Sequence, residues 1–172
     1  MKKVILIGYM GSGKSIVDKN LATKIDSTCL ELDDLIEKKV EMTIGKIFSS
    51  KGELYFRKLE HELFLKLLKD ENNIIISTGG GTPCYFNNQE LLNSKNVVSI
   101  YLKASIDTLY ERLVNEKHKR PLIAHLSDIE IKEFIAKHLF DRSFYYNQAT
   151  YKVAVDGKSI TEITDEIAKL LT

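Results

Sequence analysis

The 172-residue chain has no tryptophan, only two prolines and only two cysteines. No proline-rich linker, low-complexity stretch or internal repeat divides it. One domain spanning 1–172 is therefore expected, long enough to bury a proper core. Cys29 and Cys84 form no C-x-x-C pair, which points to two reduced thiols in a cytoplasmic protein rather than a disulfide framework. His61, His118, His125 and His138 lack the spacing of metal ligands. An excess of one charge is missing too: 25 basic and 24 acidic residues leave a formal net charge of +1. Neither nucleic acid nor a membrane surface is expected as the main partner. No run approaches the ~20 apolar residues of a bilayer span. The apolar stretch behind the basic N-terminus, Val4 to Ile7, is too short for the core of a signal peptide.

What is present is alternation. Lys3 to Ile7, Thr28 to Leu32, Ile74 to Ser77, Val97 to Leu102 and Tyr151 to Val155 read as strands. Several are apolar at consecutive positions, as parallel strands covered on both faces are. Helical patterns lie between them at Ser15 to Ile25, Gly52 to Lys69 and Ser105 to Asn115. Capping boxes at Ser127/Glu130 and Ser159/Glu162 mark the starts of the last two helices. The order strand, helix, strand, helix predicts an α/β fold, a parallel sheet with helices on both faces. Two segments exceed what simple connections need: a helical insert from Asp33 to about Glu62 and an irregular polar stretch from Asn115 to Ser127. Segments of that kind on a rigid sheet are where binding function tends to sit.

The strongest signal is Gly8-Tyr9-Met10-Gly11-Ser12-Gly13-Lys14-Ser15. It fits G-x-x-x-x-G-K-[ST] at every fixed position, with a strand before it and a helix after. The glycines Gly11 and Gly13, with Ser12 between them, let backbone N–H groups wrap phosphate oxygens, and the helix start adds its positive dipole end. Lys14 supplies a point charge to the outer phosphates, and Ser15 can place its hydroxyl on Mg²⁺. These features predict binding of ATP or a related nucleotide. They do not by themselves separate GTPases, ATPases and kinases.

Three further clusters suit a small polar acceptor. Period-two alternation at the end of the second strand puts Glu31 and Asp33 on one side, so that one carboxylate can hold the Mg²⁺ water shell while the other accepts a hydroxyl proton. Asp33 and Asp34 can equally cap the next helix. Glu53, Arg57 and Glu60 share one helical face, a spacing that also fits a solvated ion pair. Gly79, Gly80 and Gly81 follow Thr78 and permit close approach to the backbone, or simply a loose turn. Arg120, beside Lys117, His118 and Lys119, can close over phosphates or belong to an ordinary solvated loop. Arg57 and Arg142 can grip one carboxylate between two guanidinium forks.

In order along the chain, Gly8–Ser15, Ile44–Phe48, Gly52–Glu60, Thr78–Gly81, Arg120–Ile123 and Arg142 with Tyr146 together resemble the shikimate kinase family. The resemblance implies a P-loop fold of the nucleoside-monophosphate-kinase type, three-layered αβα with a five-stranded parallel sheet, and a monomeric enzyme. It implies transfer of a phosphoryl group from ATP to the 3-hydroxyl of shikimate with Mg²⁺, in aromatic amino-acid biosynthesis. Lys14, Asp33 and Arg120 are then catalytic, with Arg120 as lid arginine. Gly11 to Ile16, Arg112 and Arg120 contact the nucleotide, Arg112 facing the adenine, and the segment after Val155 borders it. Asp33, Arg57, Glu60, Gly79 to Gly81 and Arg142 contact shikimate. Ser15 holds the metal directly and Glu31 through water. The chain departs from the family pattern at Ile16, where threonine is usual, at Glu31 in place of aspartate, and at Phe144 and Gln148 in the motif that follows Arg142. Two alternatives share the P-loop: a kinase of another small acceptor such as gluconate, and a nucleotide-binding regulatory module without turnover.

Overall fold

The computed structural model describes residues 3–172. Five parallel strands, β1 (Lys3–Ile7), β2 (Thr28–Glu31), β3 (Ile74–Ser77), β4 (Val97–Lys103) and β5 (Tyr151–Ala154), form one sheet in the order β2-β3-β1-β4-β5. Every residue of β1 and of β3 is buried. Successive side chains point to opposite faces of a strand, so both faces of the sheet centre are covered. The edge strands β2 and β5 are only partly buried.

The helices are α1 (Lys14–Lys24), α2 (Leu32–Val40), α3 (Ile44–Lys51), α4 (Glu53–Lys69), α5 (Asn88–Leu91), α6 (Ile106–Val114), α7 (Asp128–Tyr146) and α8 (Ile160–Leu171). Both expected capping boxes are present: the Ser127 and Ser159 side chains accept from the N–H groups of Glu130 and Glu162, whose carboxylates accept in return. Ser105 caps α6 by accepting from the Thr108 N–H. The insert between β2 and β3 is three helices, with α2 and α3 both packed on α4. The short α5 has no counterpart in the sequence reading, because four residues carry no periodicity to detect.

One expectation fails in detail. The second strand ends at Glu31, and Leu32 already starts α2. Glu31 and Asp33 therefore do not alternate along one strand; the first ends β2 and the second lies in the first turn of a helix. Among the described residues no helix is long and apolar enough to cross a membrane.

The strand order fixes where a ligand can go. From β1 the chain runs outward to β2 and back to β3, then crosses β1 to β4 and β5 on the other side. The crevice at such a switch of direction, at the carboxyl ends of the strands, is where open α/β sheets bind ligands. The loop after β1 opens into it.

Candidate active site

A cleft of about 550 Å³ lies there. One wall is the loop from Gly8 to Gly13. Gly13 takes φ +96°, a left-handed conformation open to glycine at little cost, and a Cβ on Gly8 would meet Ser12 Oγ at 2.8 Å and the Leu102 carbonyl at 2.9 Å. No side chain caps the start of α1, so its first N–H groups face the cleft. The Lys14 ammonium donates to the carbonyls of Gly8, at 2.7 Å, and Tyr9, at 3.2 Å. Burial pushes Lys14 down to about 8, against the pull of Asp33. Ile16 lines the mouth of the cleft and is largely exposed.

Ser15 and Glu31, apart in sequence, meet: the Ser15 hydroxyl donates to Glu31 Oε2 at 3.0 Å. A hydroxyl and a carboxylate oxygen suit a hard cation such as Mg²⁺. The described residues contain no group of three or more His, Cys, Asp or Glu side chains able to hold a metal ion by themselves. Both residues line the cleft, as do Asp33, Thr78, Gly79, Gly80, Arg112 and Arg120.

Asp33 lies across the cleft from the loop. Its Oδ1 is buried without a partner among the described residues. Burial, and then the charge of Glu60, push its carboxyl up to about 6, while Lys14 and Arg57 hold it down. Arg120 also reaches the cleft; it contacts Glu116 at 3.6 Å, and its Nε is buried without a partner. Arg112 donates from Nη1 to the Gly11 carbonyl at 2.9 Å, so it braces the phosphate loop while lining the cleft.

Next to the cleft-lining Gly79 and Gly80 lie two arginines, Arg57 and Arg142. Arg57 and Glu60 lie on the buried stripe of α4 with Phe56, Leu59 and Phe64. The Arg57–Glu60 pair is thus buried, while Glu53, 3.6 Å from Arg57 Nε, stays exposed. Arg57 Nη1 donates to Glu60 Oε1 at 2.8 Å, and the Thr82 hydroxyl donates to Glu60 Oε2 at 2.7 Å. The three glycines accommodate the protein's own side chains. Cβ atoms on Gly79, Gly80 and Gly81 would lie 3.2 Å from Asp33 Oδ1, 3.1 Å from Arg142 Nη1 and 2.6 Å from Arg57 Nη2. Arg57 and Arg142, from α4 and α7, therefore approach adjacent residues of one turn. Tyr146 fixes that turn by donating from its hydroxyl to the Gly80 carbonyl at 2.5 Å.

Some residues around the site carried no sequence signal as individuals. Thr82 and Tyr85 act through Glu60 and Arg57, contacts that only the fold creates. Asp18, in the second turn of α1, is fully buried with both carboxylate oxygens unpartnered among the described residues. Burial, then the nearby Glu31, raises its carboxyl above the ordinary range.

A phosphate loop and a buried carboxylate in one crevice, at the switch point of a parallel sheet, define a P-loop kinase. The family model described as shikimate kinase matches residues 10–172, and the chain belongs to the shikimate kinase family. The shikimate kinase of Flavobacterium johnsoniae is 57% identical over 171 residues, covering 99% of each chain. The crystal structure of the Bacteroides thetaiotaomicron shikimate kinase superposes with a TM-score of 0.91 at 33% identity, over 99% of this chain and 98% of that one. The Acinetobacter baumannii shikimate kinase, solved in complex with shikimate, gives 0.88 at 26% identity, over 99% and 93%.

Proposed function

We infer that the chain transfers the γ-phosphoryl group of ATP to the 3-hydroxyl of shikimate, giving shikimate 3-phosphate and ADP, a step of chorismate and aromatic amino-acid biosynthesis. The observation that carries this reading is the buried, unpartnered Asp33 Oδ1 in the same cleft as Lys14. An acceptor hydroxyl placed there satisfies Asp33 and faces the phosphates.

In this reading the loop from Gly11 to Ile16 holds the phosphates through backbone N–H groups, and Lys14 stabilises charge on the transferring group. Asp33 orients the hydroxyl and accepts its proton. Arg57 and Arg142 grip the carboxylate, with Glu60 holding Arg57 and Gly79 to Gly81 giving room. The 115–127 segment serves as a lid, and Arg120 reaches the phosphates from it. Arg112 and the segment after Val155, where Ile160 lines the cleft, flank the base of the nucleotide. Ser15 and, through water, Glu31 hold Mg²⁺, which neutralises phosphate charge when bound. Action as a monomer is part of this reading.

The pH dependence follows from the two perturbed groups. Asp33 acts ionised and takes up a proton as pH falls through about 6. Lys14 acts charged and loses its proton as pH rises through about 8 in the enzyme free of nucleotide. The kcat/KM profile for ATP is therefore a bell with limbs near those values. Asp33→Asn removes the acid limb and most of the rate, and its residual activity is flat from about pH 5 to 7. An unchanged acid limb in that variant would assign the limb to another group.

Gly81→Ala tests the glycine turn. The added Cβ collides with the Arg57 guanidinium, which must shift while keeping its pair with buried Glu60, so some loss of stability accompanies the displacement. The KM for shikimate is expected to rise about tenfold or more, with that for ATP unchanged, because positioning errors of about 1 Å are costly. A wild-type KM for shikimate would show that Arg57 needs no such room.

Glu31 departs from the family's usual aspartate. A carboxylate acting through water tolerates the extra methylene better than one bound directly at ~2.0–2.1 Å. Glu31→Asp is expected to stay active with a modest change in Mg²⁺ dependence, whereas Glu31→Gln raises the Mg²⁺ requirement. Identical Mg²⁺ titrations of all three proteins would remove Glu31 from the metal site. The reading as a whole is tested by ADP release in the presence of ATP and Mg²⁺, with shikimate or gluconate as acceptor. Release that depends on shikimate supports it; release driven by gluconate, or by neither, rejects it.

A further inference from the structure

Tyr85 lies just past the glycine turn, at the end of the short helical turn Thr82–Cys84. It is partly exposed, and it belongs to no motif. Its ring nevertheless lies against the guanidinium of Arg57, with Cζ 4.1 Å from the ring centroid. Its hydroxyl donates to Glu53 Oε1 at 3.0 Å, and that same oxygen lies 3.6 Å from Arg57 Nε. Four groups thus surround the guanidinium: Glu60 on Nη1, Glu53 beside Nε, the Tyr85 ring at 4.1 Å from Cζ and the Phe56 ring, farther off, at 5.1 Å. The remaining nitrogen, Nη2, makes no hydrogen bond to any described residue and packs against Gly81, next to the cleft.

A guanidinium is planar, and it recognises a carboxylate through parallel N–H groups in that plane. Fixing the plane therefore fixes the direction in which the free N–H groups point. Glu60 alone leaves the group able to rotate about the Nη1 contact. The Tyr85 ring, nearer than that of Phe56, hinders that rotation by its contact with the guanidinium, and Glu53 anchors the ring. We propose that Tyr85 is a positioning residue for acceptor recognition, locking the Arg57 guanidinium in the plane that presents Nη2 to the acceptor's carboxylate. The proposal rests on the reading of Arg57 as a carboxylate-binding residue. It deepens that reading by assigning the arginine's orientation to an aromatic side chain outside the family's motifs.

The test compares Tyr85→Phe, which keeps the ring and loses the bond to Glu53, with Tyr85→Leu, which loses the stacking. Each is assayed with shikimate and with its methyl ester, which lacks the charged carboxylate, and Arg57→Lys runs alongside. The KM for shikimate is expected to rise about two- to fivefold in Tyr85→Phe and about five- to thirtyfold in Tyr85→Leu, the scale of one hydrogen bond and of one cation–aromatic contact. The KM for ATP and the melting temperature stay close to wild type. The preference for shikimate over the ester falls by the same factor, a change that loose packing alone does not produce. Wild-type preference in Tyr85→Leu beside an impaired Arg57→Lys overturns the proposal while leaving the reading of Arg57 intact. Wild-type preference in Arg57→Lys removes the reading of Arg57 and the proposal together.

Discussion

Lys14→Ala is expected to lower kcat by about two to three orders of magnitude while the protein stays folded. The ammonium donates to the carbonyls of Gly8 and Tyr9, so it sits inside the turn of the phosphate loop. Its position is fixed before any nucleotide arrives, and no reorganisation is needed when charge develops on the transferring group. Removing it leaves two carbonyls facing a cleft that water can enter, which limits the structural damage. The loss therefore concentrates in the chemical step. Steady-state kinetics with a parallel thermal melt separates the outcomes. Near-normal turnover in a folded Lys14→Ala would mean that the loop binds phosphate without taking part in transfer.

The second large effect concerns Arg57 and Arg142. Truncating Arg57 does two things at once. It removes the proposed contact to the acceptor, and it strands Glu60, which is fully buried and relies on the 2.8 Å bond to Arg57. Breaking a buried pair by removing one partner costs about 3–5 kcal/mol of stability. Arg57→Ala is therefore expected to lower the melting temperature as well as acceptor affinity. Arg57→Lys keeps a cation for Glu60 but loses the fork. It should fold, bind ATP normally, and still weaken shikimate binding by about 2–4 kcal/mol. Arg142→Ala should show a comparable loss, because Arg142 makes no such ion pair with a described residue and meets the same glycine turn. Calorimetric titration of each variant with shikimate and with ADP checks both. Equal losses for the two ligands would point to a damaged fold and count against the clamp.

The nucleotide half of the site was legible in the sequence because it is local. Eight consecutive residues fix the loop, and the strand before it and helix after it are adjacent in the chain. The acceptor half was legible only in pieces. Asp33, Arg57, Gly81 and Arg142 come from α2, α4, the turn after β3 and α7, and nothing in their spacing reveals that they converge. The same holds for burial: a Glu–Arg pair at helical spacing looks identical whether solvated or, as here, set in the core stripe of α4. Glu31 and Asp33 do share the cleft, although the periodic reason given for it was wrong, since a helix begins between them. The triple glycine reads in sequence as room for another molecule, and what the fold sets beside it are the protein's own Asp33, Arg142 and Arg57. Arg112 was expected at the adenine; its bond to the Gly11 carbonyl adds a bracing role visible only in three dimensions. Tyr85 had no signal at all, because a lone aromatic after a turn has no partner in one dimension.

One measurement addresses the central claim most directly: ³¹P NMR of the protein incubated with ATP, Mg²⁺ and shikimate. The expected result is a new phosphomonoester resonance, coupled to the proton on C3 of the acceptor ring, that grows in step with ADP and is absent in Lys14→Ala. Growth of inorganic phosphate alone, or an ester formed at another hydroxyl of the ring, would contradict transfer to the 3-hydroxyl held by Asp33.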